Sequence, residues 1–501
     1  MTRRARLLTM ICMSSFLPAV ACSDEGGGII PSPSPVMIAP FLLLLLSIAV
    51  VPFINKHWWE RWYPAVSIGL GAVTVLYYLL GLHAATRMLQ TGIEYVSFMA
   101  LIGSLFVVAG GILIRVKGSA TPFRNVVFLG IGAVVANLVG TTGASMIMIR
   151  PFLRVNRVRV RPYHVVFFIF IVSNMGGALT PIGDPPLFLG YLRGIPFLWV
   201  AEHLWVQWLI GIGIVIAVFY VLDRRDFMKL SPEVRRSASH AGEEGEVSGM
   251  HNIVFLLVIL GAVFVTDPPF VREALMAAAA AGSYLTTRKS VHKANDFNFV
   301  PVKEVAILFV GIFATMVPAL DWLELNAASI GLQTPGQYYW ATGSLSAFLD
   351  NAPTYLNFLS ATYGLFVKPE IVTAVQQMVT THGPNAASVV GAYSEEVRNT
   401  FGVLLKYHSD VVMSGSAPFD MIATSYIIGN HNIYLRAVSL AAVFFGACSY
   451  IGNGPNFMVK SIADQQGVVT PSFGGYIAKY TLPVMVPTLL VLWFLFFSGL
   501  V

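Results

Sequence analysis

Two aspartates stand beside prolines and asparagines inside apolar stretches, and these residues are the most able to do chemistry. Asp184 is followed by two prolines within an apolar run near 165–192, and Asp350 opens an Asp-Asn-Ala-Pro-Thr segment in the middle of 338–359. A proline interrupts a helix because it lacks a backbone N–H. In a bilayer, a broken helix and an ionisable side chain are both costly, and both mark ion or substrate pathways. The pattern therefore predicts a binding site at mid-membrane depth.

Two further apolar runs are interrupted in the same way. Residues 126–149 contain a polar stretch at 137–143, and residues 435–464 contain one at 449–456. Basic residues flank both ends of 126–149. Because basic loops stay on the cytoplasmic side, this run is expected to enter and leave on one side, as a re-entrant hairpin with a buried tip. We predict a second hairpin at 338–359 and broken helices at 165–192 and 435–464.

A carboxylate among amide and hydroxyl oxygens suits a sodium ion or a proton, while asparagines can bind a cation or a carboxylate substrate equally well. The predicted binding residues are Asn137, Thr141, Thr142, Ser173, Asn174, Gly176, Gly183, Asp184, Asp350, Asn351, Thr354, Ser449, Gly452, Asn453 and Asn456. Asp184 and Asp350 are the hypothetical sodium ligands. The alternative is structural, since Asp184 could cap the helix that its prolines begin, and Asp350 could cap the second arm of its hairpin.

The composition is that of a membrane protein. The chain has 501 residues, of which 56% are hydrophobic and only 11% charged, against about 25% charged in soluble domains. Repeated apolar runs of membrane-spanning length follow residue 39. We predict an all-α polytopic membrane protein, in the lipid bilayer of a bacterial inner membrane. No nucleic-acid partner, cofactor or enzymatic constellation is expected, because the sequence has no evident metal cluster, phosphate loop or catalytic triad.

The order of elements predicts five segments. Residues 1–22 have the basic start, apolar core and Ala-x-Ala end of a signal peptide. Residues 23–36 form a flexible tether, 37–222 a first transporter repeat, 223–250 a polar cytoplasmic linker, and 251–501 a second repeat containing an extramembrane insertion at 363–417. The alternative for 1–22 is an uncleaved first helix.

The two repeats are predicted to be inverted copies. Each has three helices, a re-entrant hairpin, a broken helix and a final helix. If the N-terminus is exported, the first repeat starts outside the membrane and the second starts inside. Ser173-x-x-Gly176 matches Ser449-x-x-Gly452 in the two broken helices. Inverted repeats with broken helices are typical of alternating-access carriers.

The four interruptions resemble the ion transporter superfamily, in particular its citrate transport and sodium:proton antiporter branch. The matching stretches are Leu349–Tyr355, Gly183–Pro186 and Tyr450–Lys460, and the resemblance extends from about residue 37 to the end. It implies a substrate enclosed by two hairpin tips and two helix breaks, and a homodimer. The dicarboxylate carriers of that superfamily have Ser-Asn-Thr at the hairpin tips, whereas this chain has Asn137-Leu138-Val139 and Asp350-Asn351-Ala352.

Two functions follow as hypotheses. Two carboxylates at mid-membrane depth repel a citrate anion, so the charges favour a Na⁺/H⁺ antiporter working by alternating access. The alternative is a Na⁺- or H⁺-coupled symporter of citrate or another carboxylate.

Overall fold

The structure, a computed structural model, describes residues 31–115, 120–233, 235, 246–265, 268–295 and 297–499. Within them, eight helices are long and apolar enough to cross a membrane, and two shorter apolar helices begin at Pro162 and Asn252. The predicted all-α polytopic architecture is confirmed. The predicted signal peptide and most of the predicted tether lie outside the described residues, and the inverted repeat stays a prediction.

The α-helices in chain order are α1 (Ala39–Ile54), α2 (Lys56–Leu76), α3 (Ala85–Gly110), α4 (Pro122–Val155), α5 (Pro162–Ile171), α6 (Pro185–Leu192), α7 (Trp199–Met228), α8 (Asn252–Ala262), α9 (Val271–Thr286), α10 (Lys289–Ala294), α11 (Val300–Asn326), α12 (Pro335–Ser346), α13 (Asn351–Phe366), α14 (Pro369–His382), α15 (Ala386–Val389), α16 (Glu395–Tyr407), α17 (Ser409–Ser414), α18 (Phe419–Phe445), α19 (Gly454–Gln465), α20 (Phe473–Tyr476) and α21 (Val486–Phe496). The 3₁₀ helices are Pro35–Ile38, Met175–Gly177, Ala327–Ile330, Gly383–Asn385, Val390–Ala392 and Gly446–Cys448, and π-helical turns cover Tyr77–Gly81 and Ile477–Met485. Strands β1 (Leu113–Arg115) and β2 (Glu246–Ser248) pair antiparallel, with Leu113 opposite Ser248.

Helix α4 consists of two arms separated at Gly140, whose φ of 77° and ψ of 155° are not helical. A positive φ of this kind favours glycine, which has no side chain to clash with the backbone. The break falls inside the stretch at 137–143 where the sequence predicts a hairpin tip. The second interruption of this type lies between α12 and α13, at residues 347–350.

Two other segments are broken helices, in which irregular backbone separates two half-helices. Between α5 and α6 the chain makes one 3₁₀ turn and then irregular backbone, and between α18 and α19 it does the same. Both second half-helices carry proline at the start, after Asp184 and after Asn453. Helix α13 packs against α6, α11 and α18, so that the second hairpin lies against both broken helices.

Helix α7 extends further than the polar composition of 223–250 suggests. It continues to Met228, so Asp223 belongs to the helix and not to a solvated linker. The side chain of Asp223 is fully buried, whereas Arg224, Arg225 and Lys229 of the same segment are exposed. β2, near the end of the same segment, pairs with β1.

The burial of Asp223 is explained by a cluster of partners from three elements. Its carboxylate accepts hydrogen bonds from Arg159, from the Tyr163 hydroxyl at 2.9 Å and from the Asn125 amide at 3.0 Å. His164 Nε2 lies 3.1 Å from the same carboxylate. The cluster joins the start of α4, the segment between α4 and α5 and the start of α5 to the end of α7.

We expect Asp223→Asn to destabilise the protein strongly. The substitution leaves Arg159, whose side chain is 2% exposed, as a buried charge without its carboxylate, and such losses cost about 3–5 kcal/mol. Asp226→Asn in the same helix is the control, because Asp226 forms only an exposed 3.8 Å pair with Lys229. Thermal unfolding of the purified protein measures both. Equal melting temperatures for the two variants would show that the cluster does not stabilise the fold.

The segment predicted as an extramembrane insertion contains α14 to α17. These helices have an apolar cluster of their own, in which Val375 and Val379 of α14 and Phe401 and Leu404 of α16 are buried. Lys406 forms a 3.0 Å ion pair with Glu202 of α7. The placement of 363–417 outside the membrane stays a prediction.

Candidate ion-binding site

The carboxylate of Asp184 lies where both hairpins and both helix breaks meet. It accepts a hydrogen bond from the Thr141 hydroxyl at 2.8 Å, from the Asn351 amide at 2.5 Å and from the Asn453 amide at 3.0 Å. Thr141 follows the break of the first hairpin, Asn351 begins the second arm of the other, and Asn453 precedes α19. Asp184 itself precedes α6, so one carboxylate joins all four elements.

Asp184 does not act as a side-chain cap. Although the Asp-Pro-Pro sequence is typical of a helix start, its carboxylate makes no hydrogen bond to the first turn of α6. The residue is fully buried. Among the residues that the structure describes, no lysine, arginine or histidine forms an ion pair with it. A buried charge with only neutral donors is costly, and binding a cation or a proton would remove that cost.

Asp350 differs from Asp184 because it caps a helix and is less buried. Its Oδ1 accepts from the backbone N–H of Ala352 at 3.1 Å, which caps α13. The residue is only partly buried and lines a cavity, while its backbone carbonyl accepts from the Thr354 hydroxyl at 2.9 Å. The two carboxylates are close enough to interact electrostatically, but they share no hydrogen-bond partner.

Asn137 fastens the first hairpin to the first helix break. Its amide nitrogen donates to the carbonyls of Gly176 at 2.7 Å and Ala133 at 3.1 Å, and its amide oxygen accepts from Leu179 N–H at 2.9 Å. Both ends of the side chain are therefore occupied by backbone. These contacts hold the first hairpin and the first helix break together, and the role of Asn137 as a ligand stays a prediction.

We expect Asn137→Ala to lower thermal stability. The change leaves the Leu179 N–H without its acceptor, at roughly 1–3 kcal/mol, whereas the Gly176 carbonyl keeps its bond from Trp208 Nε1. Asn357→Ala is the matched control, because the Asn357 amide donates only to a carbonyl of its own helix. The melting temperatures of the two purified variants decide the point, and an Asn137→Ala protein as stable as the control would contradict the assignment.

Ser449 connects the second helix break to the second hairpin. Its hydroxyl donates to the Ala347 carbonyl of the second hairpin at 2.6 Å and accepts from the N–H groups of Ile451 and Gly452. Gly452 must be glycine, since a Cβ there would lie 2.6 Å from the Gly446 carbonyl oxygen. In the first half, a Cβ on Gly183 would lie 2.2 Å from the Gly177 carbonyl oxygen.

The two helix breaks are joined directly by asparagines. The Asn174 amide donates to Asn456 Oδ1 at 2.7 Å, and the Asn456 amide donates to the carbonyls of Gly446 and Ser449, both at 2.8 Å. The Ser173 hydroxyl lies 2.7 Å from the Ser145 hydroxyl of α4. Every predicted residue of the breaks thus lies in one connected set of polar contacts.

A cavity of about 350 Å³ leads to this set from one side. Asp350, Asn453 and Thr142 line its inner end, and the exposed Asn298 and Gln465 line its outer end. Asn298 follows the basic loop at 288–293. The cavity therefore reaches the side that the charge distribution predicts to be cytoplasmic.

The chain matches the model of a known protein family. A family model described as "Putative citrate transport" matches residues 32–497. The chain belongs to this citrate transport family. Membership makes it a citrate transporter-like secondary transporter with a small carboxylate or ion as substrate. A search of curated proteins finds no significant match.

Sequence reasoning missed three polar residues of the site. Arg150 and Glu304 line the cavity, and Trp208 Nε1 donates to the Gly176 carbonyl at 3.1 Å. Only Arg150 had a usable signal, because it follows Thr142 and Met146 at four-residue spacing and so lies on the same helical face. Trp208 could not be distinguished by sequence from a packing aromatic.

Proposed function

We propose that this transporter exchanges Na⁺ for H⁺ by alternating access, with Asp184 as the group that binds one or the other. The observation that supports the exchange is the Asp184 carboxylate, which is fully buried, held by three neutral side chains and without a basic partner among the described residues. A carboxylate in this position is neutralised either by a proton or by a metal cation, and the two compete for the same oxygens. Competition for one site couples an outward proton flux to an inward sodium flux, or the reverse.

The four elements around Asp184 explain how it could be reached from either side of the membrane in turn. Hairpins and broken helices from both halves end at one carboxylate, so a movement of these elements relative to α3 and α11 changes the side from which Asp184 is reached. The cavity that ends at Asp350 and Asn453 is the access path of the state described, on the side predicted to be cytoplasmic. The two halves are proposed to be inverted copies in a bacterial inner membrane.

The test is ion flux in proteoliposomes that contain a pH-sensitive dye. We expect a sodium pulse to alkalinise or acidify the lumen according to the direction of the gradient, and N-methylglucamine to have no effect. A sodium pulse that moves no protons would contradict exchange.

The second candidate is a cation-coupled carboxylate symporter. Two observations favour it, namely the description of the matching family and the presence of Arg150 in the wall of a cavity large enough for a small carboxylate. Uptake of labelled citrate driven by a sodium or proton gradient separates the two candidates, since an antiporter takes up none.

A further inference from the structure

Basic side chains gather around the cluster that buries Asp223. The Asn125 amide donates to the Asp223 carboxylate at 3.0 Å. Arg124 immediately precedes the first of these residues, and Arg224 and Arg225 immediately follow the second. These three exposed side chains form an arginine triplet. One buried hydrogen bond therefore brings basic residues of α4 and α7 to the same end of the protein.

The segment between α4 and α5 adds further charges to this end. The Arg159 side chain donates to the Ala120 carbonyl at 2.6 Å, and its guanidinium lies 5.2 Å from the ring centre of Phe227 in α7. Residues 120–125, 154–161 and 219–229 thus form one region, the basic end. It contains two acidic residues and eight basic ones, namely Arg124, Arg154, Arg157, Arg159, Arg161, Arg224, Arg225 and Lys229.

The two carboxylates of the basic end do not neutralise the arginine triplet. Asp223 pairs with the buried Arg159, and Asp226 lies 3.8 Å from Lys229. In the part of the chain that the structure describes, no carboxylate forms an ion pair with the triplet. The basic end therefore has an excess of positive charge, which attracts anions.

Exposed apolar side chains stand among these charges. Val158 lies in the segment between α4 and α5, Met228 ends α7, and both are exposed. Helix α4 has an apolar stripe that begins beside Arg124. Its members are exposed and follow one another at three- or four-residue spacing, which places them on one face of the helix: Phe123, Val127, Ile131, Val134 and Leu138. On a helix of membrane-spanning length, such a stripe is suited to contact with lipid acyl chains.

An anionic phospholipid matches both the charge and the stripe. Guanidinium groups bind phosphate oxygens through charge-assisted hydrogen bonds, and basic pockets between membrane helices on the cytoplasmic side bind lipid headgroups. A soluble anion would satisfy the arginines only. An acidic protein or a nucleic acid would have no acyl chains to cover the stripe.

We propose that the arginine triplet and the apolar stripe of α4 bind one anionic phospholipid, with its phosphate at the triplet and an acyl chain along the stripe. The lipid belongs to the leaflet that the charge distribution predicts to be cytoplasmic. The inference does not depend on the proposed function, because no part of this site includes Asp184 or its partners.

Native mass spectrometry of the purified full-length protein tests the site. The protein is titrated with phosphatidylglycerol and, separately, with phosphatidylcholine of the same acyl chains. We expect phosphatidylglycerol to bind at least about tenfold more tightly. The variant Arg124→Gln/Arg224→Gln/Arg225→Gln should bind both lipids alike, because the stripe remains and the charge is gone.

The matched control is Arg288→Gln/Lys289→Gln/Lys293→Gln. It removes the same number of exposed positive charges from another loop on the same predicted side of the membrane. This variant should keep the preference for phosphatidylglycerol. Equal loss of preference in the two triple variants would mean a diffuse attraction between lipid and protein, and would overturn the site.

Three further results would also overturn it. They are equal binding of the two lipids by the original protein, a preference that survives the arginine substitutions, and loss of phosphatidylglycerol binding in excess inorganic phosphate, which would assign the triplet to a soluble anion. If the triple variant does not fold, Arg124→Gln and Arg225→Gln are tested singly, and each is expected to weaken phosphatidylglycerol binding about fivefold. Unchanged affinity in both single variants would contradict the proposal.

Discussion

Asp184→Asn is expected to abolish sodium-driven proton movement in proteoliposomes, with a loss of at least about a hundredfold. An amide of the same shape has no negative charge to hold a cation, and it does not take up a proton in the physiological range. The Thr141 and Asn453 contacts to Oδ1 can persist, because the amide oxygen of asparagine accepts in the same way. The Asn351 amide, which donates to Oδ2, can turn over so that its unpartnered oxygen accepts from the new amide nitrogen. The loss should therefore appear in transport, in a protein that still folds.

Asp350→Asn is the matched control for charge at the same depth. Asparagine caps a helix as well as aspartate does, so the bond to Ala352 N–H and the start of α13 should survive. Because Asp350 lines the access cavity and shares no hydrogen-bond partner with Asp184, we expect a several-fold weaker apparent sodium affinity and a retained maximal rate. Exchange by Asp184→Asn at the original rate, or complete loss in Asp350→Asn alone, would reverse the roles assigned to the two carboxylates.

The contrast between these aspartates shows where sequence reasoning ends. Both precede a helix that carries an early proline, and both are read from sequence alone as possible caps. Asp350 makes the cap, whereas Asp184 points to three side chains from elements far away in the chain. Local sequence sets where a helix starts, but long-range partners decide whether its first carboxylate bonds to the helix or to something else.

The same limit explains the other differences. The hairpin tip near Gly140 and the helix breaks were predictable, because glycine and proline act on their own backbone. The buried pair of Arg159 and Asp223 was not, since each residue stands in a basic or mixed-charge stretch of the kind that is usually solvated. Asn137 was correctly placed at the tip, but its bonds to Gly176 and Leu179 depend on a fold that brings two separate breaks together.

An ion pair between α6 and α3, away from the cavity, is expected to stabilise the conformation that the structure describes. Arg193 follows the last turn of α6, and its guanidinium lies 3.2 Å from Glu94 near the start of α3. Pro185, at the other end of α6, lines the cavity, and so does Phe106 towards the other end of α3. At 1.5 Å rise per residue, the pair is therefore more than about 10 Å from the cavity, on the side that the proposed mechanism requires to be closed in this state. When access alternates, α6 and α3 must separate there, and the pair must break.

Reversing one charge of this pair should shift the protein towards the opposite state. In Glu94→Arg, two guanidinium groups face each other only while that side is closed, so the closed arrangement is penalised and the state with access from the cavity is depopulated. We expect labelling of a cysteine at Ser461, which lines the cavity, to slow about tenfold, a shift of about 1.4 kcal/mol. The measurement uses an impermeant maleimide in vesicles exposing that side, in a background without the native cysteines.

The double variant Glu94→Arg/Arg193→Glu carries the same pair in reverse and should restore part of the labelling rate, because Arg87 and Glu324 interact with Glu94 and Arg193 in the original arrangement. Lys406→Glu is the control, because it breaks an exposed pair with Glu202 and should leave labelling unchanged. A rate that is insensitive to Glu94→Arg, or that the double variant fails to restore, would mean that Arg193 and Glu94 hold α6 and α3 together in both states. In that case the moving boundary would have to lie elsewhere, because a contact kept in both states cannot bias one against the other.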